Sequence, residues 1–263
     1  MANYTGAATN AVLIVAPVSF IPINKTTPSG VVEPADVVII KPEDVELMEF
    51  GSNANNTILS GFQQLDFLVL QGITGASVYK GIHSMCNGAN FAYDKNVFYE
   101  VKGFEGIDDI ASGDDMLLMQ KIWKRNKNDV RYLKSRKAIV STNPMQTWKD
   151  FINQRKRWAS KSAYYTDPVL KLILIFVYLF NVLFFVLLTA ACLNEAQWSL
   201  VIYYLLGKMV IELPFFVSIA GFYNNKKLVP YFLLLQPLHI LYTVFVGFIS
   251  QFGRYEWKNR RTK

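Results

Sequence analysis

The chain has 263 residues, of which 52% are hydrophobic, a formal net charge of +7, and two cysteines, Cys86 and Cys192. Two cysteines exclude a disulfide framework and a cysteine-built zinc site. The positive charge comes without the aromatic–basic module that nucleic-acid binding requires, so nucleic acid is excluded as the expected partner.

Composition shifts along the chain. Up to about Lys161, charge, Gly and Pro alternate with apolar runs as in a globular domain; from Pro168 onward Leu, Ile, Val, Phe and Tyr dominate. In chain order, Ala11–Val18 reads as a buried strand, apolar and rich in β-branched residues. Ile21–Thr57 reads as a long loop with one short strand at Val37–Ile40. Ser60–Gly72 has helical periodicity, and His83–Tyr93 reads as a turn leading into a strand. Met116–Lys124 is predicted helical, and Val130–Leu133 and Ala138–Ser141 are predicted strands. Thr147–Ser160 is predicted helical, with Thr147 and Asp150 at capping-box spacing.

Three apolar stretches follow, 169–193, 198–222 and 228–250, each long enough for a bilayer core of about 30 Å. Membrane lipids are therefore expected partners. Lys149, Arg155, Lys156, Arg157 and Lys161 precede the first stretch, Lys226 and Lys227 separate the second from the third, and Arg254, Lys258, Arg260, Arg261 and Lys263 close the chain. The excess of positive charge on cytoplasmic flanks places the preceding domain and the Lys226–Lys227 link inside, and the Asn194–Gln197 link outside. Three full spans put the basic tail outside, against the same rule, unless one stretch is interfacial or re-entrant. The second carries Lys208, Glu212 and Pro214, and the third carries Pro230 and Pro237. Lys208 and Glu212 are one helical turn apart: an intramembrane ionisable pair is a functional candidate, or a structural pair facing a neighbouring helix.

Three motifs carry possible chemistry. Asp108, Asp109, Asp114 and Asp115 fall within eight residues, and Ser112-Gly113-Asp114-Asp115 precedes an apolar helical run. A carboxylate fixed at a helix N-terminus can take a proton from an attacking hydroxyl, a contribution of about 10²–10⁴-fold. The structural alternative is plain capping, with Ser112 as N-cap and Asp115 at the third helical position. In Gln154-Arg155-Lys156-Arg157-Trp158, helical spacing puts Gln154, Arg157 and Trp158 on one face. Together they present an amide, a guanidinium suited to phosphate and a flat indole suited to a sugar ring; the alternative is a basic amphipathic helix with Trp158 as an interface anchor. Asn87, Gly88, Ala89 and Asn90, following Cys86, permit close approach to a ligand or form an ordinary turn.

In this order and ahead of membrane segments, these motifs resemble the membrane-bound family 2 glycosyltransferases, which include cellulose, hyaluronan and poly-N-acetylglucosamine synthases and ceramide glucosyltransferase. The resemblance covers roughly Ala11–Lys161. Its most specific elements are Gln154-x-x-Arg157-Trp158 downstream of Gly113-Asp114-Asp115, supported by Val101-Lys102-Gly103-Phe104. The terminal Trp257-Lys258-Asn259-Arg260 is similar to the branch's Trp-Lys-Gly-Arg ending, with Asn259 in place of Gly.

The resemblance implies an α/β fold, the C-terminal part of a GT-A-like domain at 1–161, followed by a transmembrane α-helical region at 162–263. It implies an inverting hexosyl transfer from a nucleotide sugar, a UDP-sugar, to a lipid or growing polysaccharide. Asp115 would be the catalytic base beside Asp114, Gln154 and Arg157 would hold the diphosphate or organise the acceptor mouth, Trp158 would stack on the acceptor, and Asn87–Asn90 would line its pocket. A divalent cation, Mg or Mn, is expected with the diphosphate. The expected location is a bacterial inner membrane with the catalytic region cytoplasmic. Three apolar segments are few for a polymer channel, which favours a lipid-linked acceptor. The family's first half supplies an Asp-x-Asp pair that holds the metal, and no Asp-x-Asp occurs in this sequence. The chain is thus expected to lack the nucleotide-binding half. The alternative is a catalytically inactive, truncated relative acting as membrane partner of an intact synthase.

Overall fold

The computed structural model describes residues 13–15, 18–20, 37–39, 57–82, 86–108, 110, 113–136, 139–142, 144–165, 167–252, 255–257 and 260–262, most of them helical. The chain forms two compact units: 1–55 with 70–143, and 56–69 with 144–263. Much of the long Ile21–Thr57 loop lies outside the described residues, as do Asp109 and Ser112.

In the first unit, strands β1 (Leu13–Val15), β3 (Val37–Ile39), β4 (Phe91–Asp94) and β5 (Val130–Tyr132) form a sheet in the order β3-β4-β1-β5. β4 runs antiparallel to β1 and β3, and β5 parallel to β1. β2 (Val18–Phe20) pairs in parallel with β6 (Val140–Thr142). The single strand expected over Ala11–Val18 is thus two short ones in different sheets. Helix α1 (Ile58–Tyr79) gives its second half to this unit. There a Cβ on Gly75 would meet the Tyr132 ring at 3.1 Å, so glycine allows the contact.

α2 (Lys95–Glu100) starts on Asp94, whose carboxylate accepts from the Asn96 and Val97 N–H groups. α3 (Asp114–Arg125) buries Met116, Leu117, Leu118, Met119 and Ile122. Asp114 and Asp115 occupy its first turn and Lys124 and Arg125 its last, both in the sense favoured by the helix dipole.

The second unit is helical. α4 (Trp148–Ser160) begins as its sequence predicts: the Thr147 hydroxyl accepts from the Asp150 N–H at 3.1 Å and meets the Asp150 carboxylate at 2.6 Å. The first half of α1 packs here. Gln63 pairs with the Met145 backbone in both directions, at 2.8 and 2.9 Å, which fixes the chain just before α4.

α5 (Pro168–Cys192) and α6 (Trp198–Phe222) are each 25 residues long and apolar enough to cross a membrane. At 1.5 Å per residue each spans about 37 Å. Leu172, Ile175, Phe176 and Leu179 of α5 are exposed, as lipid-facing residues are. The third apolar stretch is not one straight helix. After a 3-10 turn at Lys226–Leu228 come α7 (Val229–Leu234) and α8 (Gln236–Gln251), bent by 73°. Pro237 is the cause: its ring excludes a continuing helix and suits the first turn of a new one.

α5, α6 and α8 share a core of Phe184, Ala191, Val201 and Ile240. Gly247 lets α8 approach α5 closely, since a Cβ there would lie 2.6 Å from the Tyr178 ring. The Lys208 ammonium pairs with the Glu212 carboxylate, which also accepts from Gln236 Nε2 of α8 at 3.0 Å. The pair thus faces a neighbouring helix. A terminal hairpin, β7 (Tyr255–Trp257) with β8 (Arg260–Thr262), ends the described chain.

Candidate active site

In the first unit the structure joins two of the sequence motifs. The Asn87–Asn90 tract forms a 3-10 turn, Gly88–Asn90, closed by the Asn90 N–H donating to the Asn87 carbonyl at 3.0 Å. Ala89 occupies its middle position. The Gly88 N–H donates to Asp115 Oδ2 at 2.7 Å, across 27 residues of sequence. Asp115 Oδ1 accepts from the Met116 N–H at 2.8 Å. Both carboxylate oxygens are therefore oriented by backbone groups, while the side chain stays half-exposed. A Cβ on Gly88 would sit 3.2 Å from Asp115 Oδ2, so glycine is what permits this approach.

The expected capping arrangement is corrected. The N-cap of α3 is Gly113, not Ser112, with φ +99° and no side-chain cap bond, which puts Asp115 at the second helical position rather than the third. Only glycine takes that left-handed angle cheaply. Asp115 thus bonds outward to another segment and to its own neighbour, and leaves the cap to the backbone.

Asp114 is exposed and carries its charge toward β4. Burial first, and the Asp114 charge second, push the Tyr93 phenol above its ordinary value of 10.0. The Val101–Phe104 segment is clamped from α3. Lys121 Nζ donates to the carbonyls of Gly103 at 2.7 Å and Glu105 at 2.9 Å.

In the second unit the Gln154–Trp158 face is built around a residue the spacing argument passed over. Arg155 lies on the indole: its guanidinium carbon is 4.2 Å from the centre of the Trp158 ring and 4.8 Å from that of Phe151. A desolvated cation–π contact of this kind contributes about 2 kcal/mol. Arg155 Nη1 donates to Gln154 Oε1 at 2.9 Å, and Nε to Asp66 Oδ2 of α1 at 2.7 Å. The two charged side chains are only 2% and 5% exposed. The other Asp66 oxygen lies 3.8 Å from His239 Nε2 of α8. Gln154, Arg157 and Trp158 are all half-buried on α4. Asp66 had a sequence signal of its own: a carboxylate inside the apolar run Leu65–Leu70 demands a cationic partner once buried.

Among the described residues no group of three or more His, Cys, Asp or Glu side chains is placed to hold a metal ion. Family 2 glycosyltransferases commonly use a divalent cation. Among the described residues the donor set does not fit one.

A family model described as Glycosyl transferase family group 2 matches residues 46–249, and the chain belongs to this family. Its activity class is glycosyl transfer, which takes in general a nucleotide sugar and an acceptor. No curated protein and no solved structure matches the chain. Two helices long and apolar enough to cross a bilayer mark it as a membrane protein.

Proposed function

We propose that this chain carries the base and acceptor side of an inverting transferase of the membrane-bound branch, with an α/β GT-A-like catalytic part at 1–161 and a membrane part at 162–263. Together with the nucleotide-binding half that the sequence is expected to lack, it moves a hexose from a UDP-sugar to a lipid or growing polysaccharide acceptor, with the lipid-linked acceptor favoured by the few membrane segments. The observation that carries this reading is the Gly88–Asp115 bond, which ties the Asn87–Asn90 tract to an oriented, half-exposed carboxylate at a helix start.

In the proposed step Asp115 accepts the proton of the acceptor hydroxyl. The freed oxygen pair attacks the anomeric carbon from the face opposite the diphosphate. The bond to the diphosphate breaks, and its electron pair leaves with the nucleotide. Asp114 keeps a second negative charge beside the base. Asn87, Gly88, Ala89 and Asn90 line the acceptor pocket, Trp158 stacks on the acceptor, and Gln154 and Arg157 contact the diphosphate or the acceptor mouth. The sequence has no Asp-x-Asp pair, so the reading assigns this chain no carboxylate-bound cation for the diphosphate. The same observation favours a second reading, a non-catalytic membrane partner of an intact synthase.

The test is the full chain in lipid nanodiscs, with UDP-glucose and UDP-N-acetylglucosamine, read by UDP release and by calorimetry. Turnover lost in D115N with binding retained supports the base role. Equal turnover in wild type and D115N removes it, and binding without turnover in either favours the partner reading.

The bent third segment supports a cytoplasmic catalytic part. α8 alone has 16 residues, about 24 Å, short of a bilayer core. If α5 and α6 cross and α7–α8 returns, then Lys149–Lys161, Lys226–Lys227 and the basic tail share one side, as the charge rule asks. In right-side-out bacterial inner-membrane vesicles, a membrane-impermeant maleimide is expected to label a cysteine at Ala196 and to spare one at Lys258. Labelling at Lys258 overturns the topology.

A further inference from the structure

The reaction proposed above uses Gln154 and Trp158 and leaves the buried pair beneath them without a role. Asp66 and Arg155 come from elements 89 residues apart in sequence and are almost fully withdrawn from solvent. A buried salt bridge is weak evidence of stability, because desolvation offsets the attraction, and an apolar pair of equal volume often serves as well. The geometry shows what an apolar pair could not do. One Arg155 edge is held by Asp66, the next reaches Gln154, and the guanidinium plane lies between Phe151 and Trp158. Nη2 is buried and has no hydrogen-bond partner among the described residues. Asp66 is the one carboxylate paired with Arg155 among the described residues, so it supplies the charged anchor for the angle at which the guanidinium meets the indole. The guanidinium fork is rigid, so fixing one edge fixes the others.

We propose that Asp66 is a positioning residue: through Arg155 it holds the Trp158 indole and the Gln154 amide in the orientation that receives the acceptor. This rests on the acceptor role given to those two residues above. His239 Nε2 of α8 lies 3.8 Å from the second Asp66 oxygen, beyond hydrogen-bond distance.

The test needs no turnover. The full chain is labelled with 5-fluorotryptophan in nanodiscs, and the ¹⁹F resonance of Trp158 is assigned by its loss in W158F. Trp148 is the internal control. It packs on Phe62 and Phe151, at 5.8 and 6.0 Å between ring centres, and no contact between it and Arg155 is seen among the described residues. In D66N the Trp158 resonance is expected to shift and broaden while Trp148 stays. An unmoved Trp158 overturns the proposal. Should D66N loosen the whole core and move both signals, D66N/R155M decides, since it leaves no unpaired charge. There Trp148 is expected to return and Trp158 to remain displaced, and return of both overturns the proposal. A displaced Trp158 with undiminished UDP release would instead remove the acceptor role of Trp158 and leave Asp66 as the residue that orients it.

Discussion

The two units hold their chemically interesting side chains by opposite means. In the first, Asp115 is half-exposed and oriented by neutral backbone N–H groups, one from a glycine turn and one from its own helix. In the second, Arg155 is almost wholly buried and oriented by a formal charge, an amide and two aromatic faces. The first arrangement leaves a carboxylate free to take part in proton transfer, because nothing around it must be broken to reach it. The second is too well paired to react, and its use is to keep neighbours still. Function in this chain is thus read from what is held but accessible, and positioning from what is held and sealed.

The largest expected effect tests the accessible side. In a parent protein that also carries the nucleotide-binding half, D115N keeps the shape and removes the proton acceptor, so UDP release is expected to fall by about 10²–10⁴-fold, with UDP binding by calorimetry unchanged. The sealed side predicts a stability effect instead. D66N leaves the Arg155 charge buried and unpaired, and denaturant unfolding in detergent is expected to show a loss of about 3–5 kcal/mol, with most of it recovered in D66N/R155M. If D66N costs nothing, the pair is not sealed and the contrast between the units fails. G88A probes the glycine turn. Its Cβ would lie 3.2 Å from Asp115 Oδ2, so the carboxylate must shift; a stability cost of about 1 kcal/mol with a larger fall in turnover is expected. The smallest effect is local. T147A removes the side-chain cap of α4 and is expected to cost about 1 kcal/mol without moving the Trp158 resonance. A moved resonance would mean that the cap, as well as Arg155, sets the indole.

Most elements were legible in the sequence. α3 and α4 have strong apolar periodicity and start and stop signals, and α5 and α6 are apolar runs that no short-range contact could change. The site was legible only as separate motifs. Helical spacing picked Gln154, Arg157 and Trp158 and passed over Arg155, an i, i+3 neighbour of Trp158 that lies on the indole and is paired with Asp66 of a distant helix. The Ser112 cap was a sound reading of composition. It gave way to Gly113 because the chain needs a left-handed turn just before α3. The third apolar stretch looked continuous, although Pro237 marked the position of its break.

By itself the sequence determined what depends on neighbours along the chain: the apolar spans, the Thr147 cap, the charge bias around the membrane segments and the order of the motifs. Tertiary structure decided the partners. Gly88 meets Asp115 across 27 residues and Asp66 meets Arg155 across 89. No local pattern encodes those pairings, since each depends on where two separately formed elements come to rest and on the requirement that a buried charge or N–H find its counterpart.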